Sequence, residues 1–152
     1  MMNTSKKQTV IKPDTWLFII TQLFFLLFLY AAANKLLDFE KFKIQIGQSP
    51  ILTDYAGIIA GIIPGIEILI SILLLFQRTL MLGLFASLSL MIMFTSYILV
   101  ILNFAERVPC SCGGILEKMG WTEHLIFNIV FVLMAIAGII LKAKTEKITA
   151  IK

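Results

Sequence analysis

Four long apolar runs constrain the fold of this chain more than any other feature of its sequence. The first run, at residues 16–37, contains 22 residues, of which four are Thr, Gln, Asn or Lys. A helix of that length is roughly 33 Å long, which is enough to cross the hydrocarbon core of a bilayer. The other three runs are similar in length and lie at about residues 51–76, 80–104 and 122–141. The sequence therefore predicts an all-α membrane protein, built as a bundle of four transmembrane helices.

The composition supports a single membrane domain over residues 1–152. Hydrophobic residues make up 59% of the chain and charged residues 14%, well below the roughly 25% charged residues of soluble proteins. A soluble domain of this length could not bury so much apolar surface. The formal net charge is +4, and most of the excess lies at the chain ends. It therefore indicates membrane topology, and we expect no nucleic-acid binding.

A cleaved signal peptide is the alternative to a retained first helix. The chain starts with a basic segment that contains Lys6, Lys7 and Lys12, and the alanines at 31–33 fit a cleavage site. The apolar run continues beyond these alanines as far as residue 37, so we expect the first helix to be retained.

The distribution of basic residues predicts the topology. The two terminal segments and the turn at Arg78 together carry eight Lys and Arg residues, whereas the connections on the opposite side carry five. The positive-inside rule then places both termini in the cytoplasm. The connection at residues 105–121 is expected outside, on the periplasmic face of a bacterial inner membrane.

The connection after the first run, residues 38–49, is too polar to cross a membrane. Its apolar residues Phe39, Phe42 and Ile46 fall at helical spacing, with charged residues between them. This pattern is typical of a short amphipathic helix that lies in the plane of the membrane interface. A solvated linker is the alternative interpretation.

The second and third runs carry small residues at intervals of four, a pattern that lets neighbouring helices approach closely. These residues are Gly57, Gly61 and Gly65 in the second run and Gly83 and Ser87 in the third.

Helix boundaries follow from capping residues and from proline. Ser49 followed by Pro50 predicts the start of the second helix, and Pro64 predicts a kink within it. The polar break between the second and third runs is so short (residues 77–79) that these helices should form an antiparallel hairpin. Thr122 is expected to cap the fourth helix.

Both cysteines of the chain lie in the connection at residues 105–121. Cys110 and Cys112 are separated by one residue, so a disulfide between them closes a small, strained ring. Strained and exposed disulfides are the ones that exchange readily. A bridge across one residue also constrains almost no chain entropy, which favours a redox-active pair over a structural disulfide. The structural disulfide stays the main alternative.

Groups near the cysteines act on a thiolate in both directions, since the acids Glu106 and Glu117 oppose it. Arg107 supplies a positive charge, and Gly113 and Gly114 leave backbone N–H groups free to form an anion-binding nest. No metal site is expected, because zinc needs further ligands and His124 is the only histidine. We interpret His124 as a polar residue at the membrane interface.

The second chemically informative residue is Glu67, which lies deep in the second run. A carboxylate in a membrane helix serves either as a hydrogen-bonded structural group or as a proton relay, and we favour the structural role. Lys35, near the outer end of the first run, is its candidate partner. Counted from Ile51, however, Glu67 lies about 24 Å along its helix, about two or more turns from Lys35. This separation argues against direct pairing unless Pro64 shortens the gap.

Three segments are informative together. They are Leu-Tyr-Ala-Ala-Ala-Asn-Lys-Leu-Leu-Asp-Phe-Glu-Lys-Phe at 29–42, Pro-Gly-Ile-Glu at 64–67 and Pro-Cys-Ser-Cys-Gly-Gly at 109–114. In this order and spacing they resemble the MauE family of methylamine-utilisation membrane proteins, which is related to DoxX-like four-helix proteins. The resemblance covers about residues 16–141. One departure is that Cys112 is followed by Gly-Gly, where the family often has Phe-Gly.

The resemblance implies a four-helix membrane bundle associated with extracytoplasmic disulfide chemistry. It also implies a role in maturing the disulfide-rich small subunit of methylamine dehydrogenase, with a thioredoxin-like or disulfide-rich protein as partner. The matching redox residues are Cys110 and Cys112, which would carry any thiol–disulfide oxidoreductase activity.

Two alternatives to a redox accessory protein stay open. One is a quinone-coupled oxidoreductase similar to the DsbB and VKOR bundles. Those enzymes use a Cys-x-x-Cys pair and usually a second pair, whereas this chain has a single Cys-x-Cys pair. The other is a non-catalytic assembly subunit whose disulfide shapes a docking loop. We expect no bound cofactor unless a quinone is used.

Overall fold

The computed structural model describes residues 13–48, 52–104 and 120–150, and helices make up nearly all of these residues. The α-helices of these residues are α1 (Pro13–Leu37), α2 (Phe39–Gly47), α3 (Ala56–Leu75), α4 (Leu80–Phe104) and α5 (Trp121–Ala150). A short 3-10 helix, Thr53–Tyr55, precedes α3. Four of the helices, α1, α3, α4 and α5, are long and apolar enough to cross a membrane. The predicted fold class is confirmed.

The helix bounds agree with the apolar runs at some ends and differ at others. Helix α4 has the predicted bounds, and α1 ends at the predicted residue. Helix α3 begins at Ala56, later than the predicted start near Ile51. Helix α5 continues well beyond residue 141, because its charged end still consists largely of helix-forming residues. A Lys142–Glu146 pair, with Nζ 3.6 Å from Oε1, supports these last turns.

The four long helices form a ring. Helix α1 packs against α3 and α5, and α4 packs against the same two helices, so the order around the bundle is α1, α3, α4, α5. The core between them contains fully buried side chains such as Phe24 and Phe28 on α1 and Leu84 on α4. The ring of Phe24 meets that of Phe131 on α5 edge to face, with centroids 5.3 Å apart, a favoured aromatic geometry.

Helices α3 and α4 form the predicted hairpin. The hydroxyl of Thr79 donates a hydrogen bond to the carbonyl of Leu73 at 2.8 Å, which closes the turn. The two helices approach each other closely at Gly83, where an added Cβ would lie 3.1 Å from Cδ2 of Leu74. Ser87 is fully buried one turn later, with its hydroxyl donating to the Gly83 carbonyl. The predicted small-residue contact on α4 is therefore confirmed.

The small-residue stripe of α3 behaves differently, and its prediction is wrong for the described residues. Gly57, Gly61 and Gly65 are exposed, and no described atom lies within 4 Å of a Cβ built at Gly61 or Gly65. The buried face of α3 consists instead of Ala56, Ala60, Pro64, Glu67, Ile70, Ser71 and Leu74. Because α3 is apolar on all sides, its sequence does not indicate which face turns inward.

The connection after α1 is a helix rather than a solvated linker. Phe42 and Ile46 of α2 are buried and form a small apolar cluster with Ala56 and Ala60 of α3. The apolar face of α2 therefore packs on protein. Its placement in the plane of the membrane interface stays a prediction.

The capping residue of α5 lies two residues earlier than predicted. Helix α5 begins at Trp121, and the N–H of Gly120 donates to Oε2 of Glu123 at 3.1 Å. The carbonyl of Gly120 accepts the first helical hydrogen bond from the N–H of His124. Gly120 rather than Thr122 thus holds the capping position, with Glu123 in the role of a capping-box acid. The predicted cap at Ser49 and Pro50 lies outside the described residues.

Candidate functional site

A buried ion pair joins α1 to α3. The Nζ atom of Lys35 lies 2.7 Å from Oε1 of Glu67, and the Glu67 side chain is 0% exposed against 12% for Lys35. Lys35 Nζ also lies 3.5 Å from the carbonyl oxygen of Ala31 on its own helix. Two opposite charges at this distance in a low-dielectric interior compensate each other, whereas either one alone would be strongly unfavourable.

This pairing overturns the depth estimate made from the sequence, which argued against it. Because α3 begins at Ala56, Glu67 lies about 16 Å from the start of its helix rather than about 24 Å. In addition, the first turns of α3 extend past the end of α1, where Ala56 and Ala60 pack against α2. Lys35, close to the end of α1, therefore lies at the same height along the bundle as Glu67, which is three turns into α3.

Two aromatic rings on other helices contact the Lys35 ammonium group. Nζ lies 5.6 Å from the ring centroid of Phe42 on α2 and 5.9 Å from that of Phe94 on α4. A cation over the face of an aromatic ring is attracted by the ring quadrupole, and the attraction strengthens when water is excluded. The ammonium group is thus fixed by contacts from α1, α2, α3 and α4.

The Glu67 carboxylate is satisfied on one side. Its Oε1 atom accepts from Lys35, whereas Oε2 is buried and has no hydrogen-bond partner among the described residues. The hydroxyl of Ser71 donates to the main-chain carbonyl of Glu67 and leaves the carboxylate untouched. One acceptor oxygen is therefore available inside the bundle.

The ion pair lies in the wall of a cavity of about 410 Å³ to which all five helices contribute. Aliphatic and aromatic side chains form most of the wall. Its polar members are Lys35, Gln45, Glu67, Tyr97, His124 and Asn128. Cavities of about 300–1,000 Å³ with apolar walls and a few polar groups are typical of small-molecule binding sites.

Helix α5 supplies two polar residues to this wall, and neither was assigned there from the sequence. His124 was interpreted as an interfacial residue, and Asn128 was not singled out. Asn128 is 1% exposed, and its Nδ2 atom has no hydrogen-bond partner among the described residues. The signal was present, because residues four apart share one face of a helix. A His and an Asn at that spacing in an apolar run indicate an inward polar face.

Asn34, near Lys35 on α1, is a further polar residue of this region. Its buried Nδ2 atom has no partner within the described part of the chain. No group of three or more His, Cys, Asp and Glu side chains that could hold a metal ion occurs in residues 13–48, 52–104 and 120–150.

The predicted redox residues lie outside the described residues. These are Cys110 and Cys112, together with their predicted supports Arg107, Gly113 and Gly114. The ends of the segment that carries them are nevertheless fixed near the cavity. Helix α4 reaches Phe104 about 9 Å beyond the wall residue Ile98, and Gly120 precedes His124 by about 6 Å. The described residues on either side of the segment, Phe104 and Gly120, therefore lie toward the cavity end of the bundle.

Four long apolar helices around a partly polar cavity define a multi-pass membrane protein. The match to a family model is more specific. The model described as methylamine utilisation protein MauE matches residues 14–141, and the chain belongs to that family. It is thus a membrane protein of a family related to methylamine utilisation. No curated protein matches the chain, and no solved structure matches it.

Proposed function

We propose that this protein is a membrane-embedded thiol–disulfide redox accessory that supports disulfide formation in an extracytoplasmic protein. The observation that carries the proposal is that the connection with both cysteines follows α4 and precedes α5 in the sequence. The described residues that flank this connection, Phe104 and Gly120, lie toward the end of the bundle that holds the buried Lys35–Glu67 pair and the cavity. Membership of the MauE family supports the methylamine-related context.

In this function Cys110 and Cys112 form the redox pair. A thiolate of the partner protein attacks one sulfur of the Cys110–Cys112 disulfide and forms a mixed disulfide. A second thiolate of the partner then attacks the mixed bond, which leaves the partner with a disulfide and this protein with two thiols. Two electrons and two protons pass from the partner to the loop. Arg107 and the Gly113–Gly114 backbone stabilise the leaving thiolate.

The partner is a thioredoxin-like or disulfide-rich protein outside the cytoplasm. The excess of Lys and Arg at the termini and at Arg78 supports this location, because the positive-inside rule predicts the cysteine segment on the periplasmic side of the inner membrane. Thiols pair and exchange in that compartment. Maturation of a methylamine dehydrogenase-type subunit fits the family description.

A trapping experiment tests this function. The single variants Cys110→Ala and Cys112→Ala leave one thiol, which should form a mixed disulfide by attacking the disulfide of the oxidised partner, and this chain then has no second cysteine to release it. Rapid acid quenching and alkylation block the partner's second thiol, which would otherwise resolve the mixed bond. Mass spectrometry of a complex that dissociates on reduction would identify a secreted protein with a redox-active or multiple-cysteine sequence. The double variant, in which both cysteines are alanine, is the matched control and should capture nothing. If neither single variant forms such a complex, the redox function is wrong.

A further inference from the structure

Two buried side chains in the cavity wall, Glu67 and Asn128, each have a polar atom without a hydrogen-bond partner among the described residues. The Oε2 atom of Glu67 on α3 is an acceptor, and the Nδ2 atom of Asn128 on α5 is a donor. The two residues are 0% and 1% exposed. Leaving such groups unsatisfied is unfavourable, and most buried polar groups in proteins have a partner. Their shared cavity therefore calls for an occupant with both an acceptor and a donor.

Water alone does not fit this space well. One water molecule takes up about 30 Å³ in the liquid, whereas the cavity measures about 410 Å³. Most of the wall is aliphatic or aromatic and offers water no hydrogen bonds. The volume is that of a small organic ligand, with its polar atoms at the Glu67 and Asn128 side of the cavity.

The wall also indicates where the ligand enters. Ile62 and Ile66 on α3 and Met93 on α4 line the cavity and are at the same time exposed on the outside of the bundle. Helices α3 and α4 are neighbours in the ring. Because both helices can span a membrane, an opening between them faces the lipid phase. The ligand is therefore a molecule dissolved in the bilayer.

Aromatic side chains favour a planar ligand. The rings of Phe28, Phe42, Phe94 and Phe127 all belong to the cavity wall, and they come from α1, α2, α4 and α5. Aromatic rings pack well in offset or edge-to-face arrangements against another planar ring. An acyl chain would fill the volume but would leave both Glu67 and Asn128 without partners.

We propose that this cavity binds the head group of an isoprenoid quinone. A carbonyl oxygen of the oxidised ring accepts a hydrogen bond from Asn128 Nδ2. In the reduced form, a hydroxyl group donates a hydrogen bond to Glu67 Oε2. The quinone is the class of bilayer-soluble molecule that combines a planar ring, ring oxygens that accept or donate, and an apolar tail.

One consequence rests on the function proposed above. If Cys110 and Cys112 are left as thiols by the partner, a quinone can take their electrons. Two S–H bonds break, one S–S bond forms, and the quinone gains two electrons and two protons as two O–H bonds. Glu67 is placed to hold one of the hydroxyl groups so formed. Binding of the quinone does not itself depend on the cysteines.

Binding is tested on the full chain purified in detergent micelles. Titration calorimetry with a short-chain benzoquinone should give saturable binding at one site per chain. Solvent extraction of protein purified from native membranes should release quinone. If the wild-type protein binds no benzoquinone, and extraction yields phospholipid or detergent alone, the proposal is overturned.

Variants locate the site. Asn128→Leu removes the donor and should weaken benzoquinone binding about tenfold, the effect of one lost ligand hydrogen bond. Ala31→Phe places a ring in the cavity and should abolish binding. Asn103→Leu is the matched control, since Asn103 is an exposed asparagine on α4 outside the cavity wall. If all three variants bind benzoquinone with the affinity of the wild-type protein, the assignment of the site to this cavity is overturned. Circular dichroism checks folding, and either cavity variant suffices if the other does not fold.

The cysteines separate this inference from the proposed function. A variant with both cysteines replaced by serine should bind benzoquinone with unchanged affinity. Should trapping fail while binding persists, the quinone site stands and the thiol function falls. Should trapping succeed while the wild type binds no quinone, the thiol function stands and the quinone site falls.

Discussion

The Nζ atom of Lys35 on α1 lies 2.7 Å from Oε1 of Glu67 on α3, beside the cavity that the five helices enclose. The same ammonium group lies over the rings of Phe42 and Phe94. Through these contacts, Lys35 on α1 links the short helix α2 and helix α4 to the buried carboxylate of Glu67 on α3. Since the connection depends on two compensating charges, removing one of them exposes the other to the full penalty of burial.

Replacing Glu67 with leucine should destabilise the protein strongly. The substitution keeps an apolar side chain in the α1–α3 interface but leaves the Lys35 ammonium group buried without its anion. Loss of one partner of a buried pair costs about 3–5 kcal/mol in the free energy of unfolding. Denaturant titration of the protein in micelles, followed by circular dichroism, measures the change.

The double variant Lys35→Met with Glu67→Leu is the informative comparison, because it removes both charges. It should recover most of the lost stability. Glu40→Gln breaks the exposed Lys43–Glu40 pair on α2, whose closest atoms are 3.6 Å apart, and should have little effect. If Glu67→Leu is as stable as the wild type, the buried pair contributes nothing.

The positions of the four long apolar helices could be predicted from the sequence, because the thickness of a bilayer sets the length that a membrane-spanning helix needs. Helix α4 has its predicted bounds because a short polar turn precedes it. The inward face of α3 could not be predicted. In a membrane protein, residues facing lipid are as apolar as residues facing other helices, so Gly61 and Ala60 carry no distinguishing signal. Packing against α1 and α2 decides which of them is buried.

The site was predicted in part. Glu67 and Lys35 were identified as unusual because charges inside apolar runs are costly. Their pairing was missed because the estimate measured depth from Ile51, whereas α3 starts later and extends past the end of α1. Asn128 was missed because it was not considered together with His124, which lies four residues earlier on the same helix face. The burial of Asn128 depends on how α5 packs against α1 and α4.

Gly83→Ala should destabilise the α3–α4 hairpin. The added Cβ would lie 3.1 Å from Cδ2 of Leu74 and 3.2 Å from the backbone of Leu73, and a backbone contact cannot move aside easily. Overpacking of this kind costs about 1–3 kcal/mol. Denaturant titration again gives the change in the free energy of unfolding.

Gly61→Ala is the matched control, because it adds the same methyl group to a helix where no described atom lies within 4 Å. There the substitution should be neutral or stabilise the protein by about 0.5–1 kcal/mol, since alanine loses less backbone entropy than glycine in a helix. If both variants shift the unfolding transition equally, the close approach at Gly83 is contradicted.

Asn128→Leu should leave the ligand-free protein as stable as the wild type or make it more stable. The side chain is 1% exposed, and its Nδ2 atom has no hydrogen-bond partner among the described residues. Replacing such a group with an apolar one of similar volume removes a desolvation penalty of about 1–3 kcal/mol. Thermal unfolding in detergent, after exhaustive delipidation, measures the difference. A large loss of stability would show that the amide has a structural role.

Thiol labelling tests the orientation of the chain. After mild reduction of intact cells, a membrane-impermeant maleimide should label Cys110 and Cys112, because the charge distribution predicts that their segment lies outside the cytoplasm. The comparison is a variant with both cysteines replaced by serine and with Lys144→Cys, at an exposed position near the end of α5. That single cysteine should react after the membrane is permeabilised and not before. If position 144 reacts in intact cells while Cys110 and Cys112 do not, the orientation is inverted. The redox pair would then face the reducing cytoplasm, where a stable exchangeable disulfide is not expected.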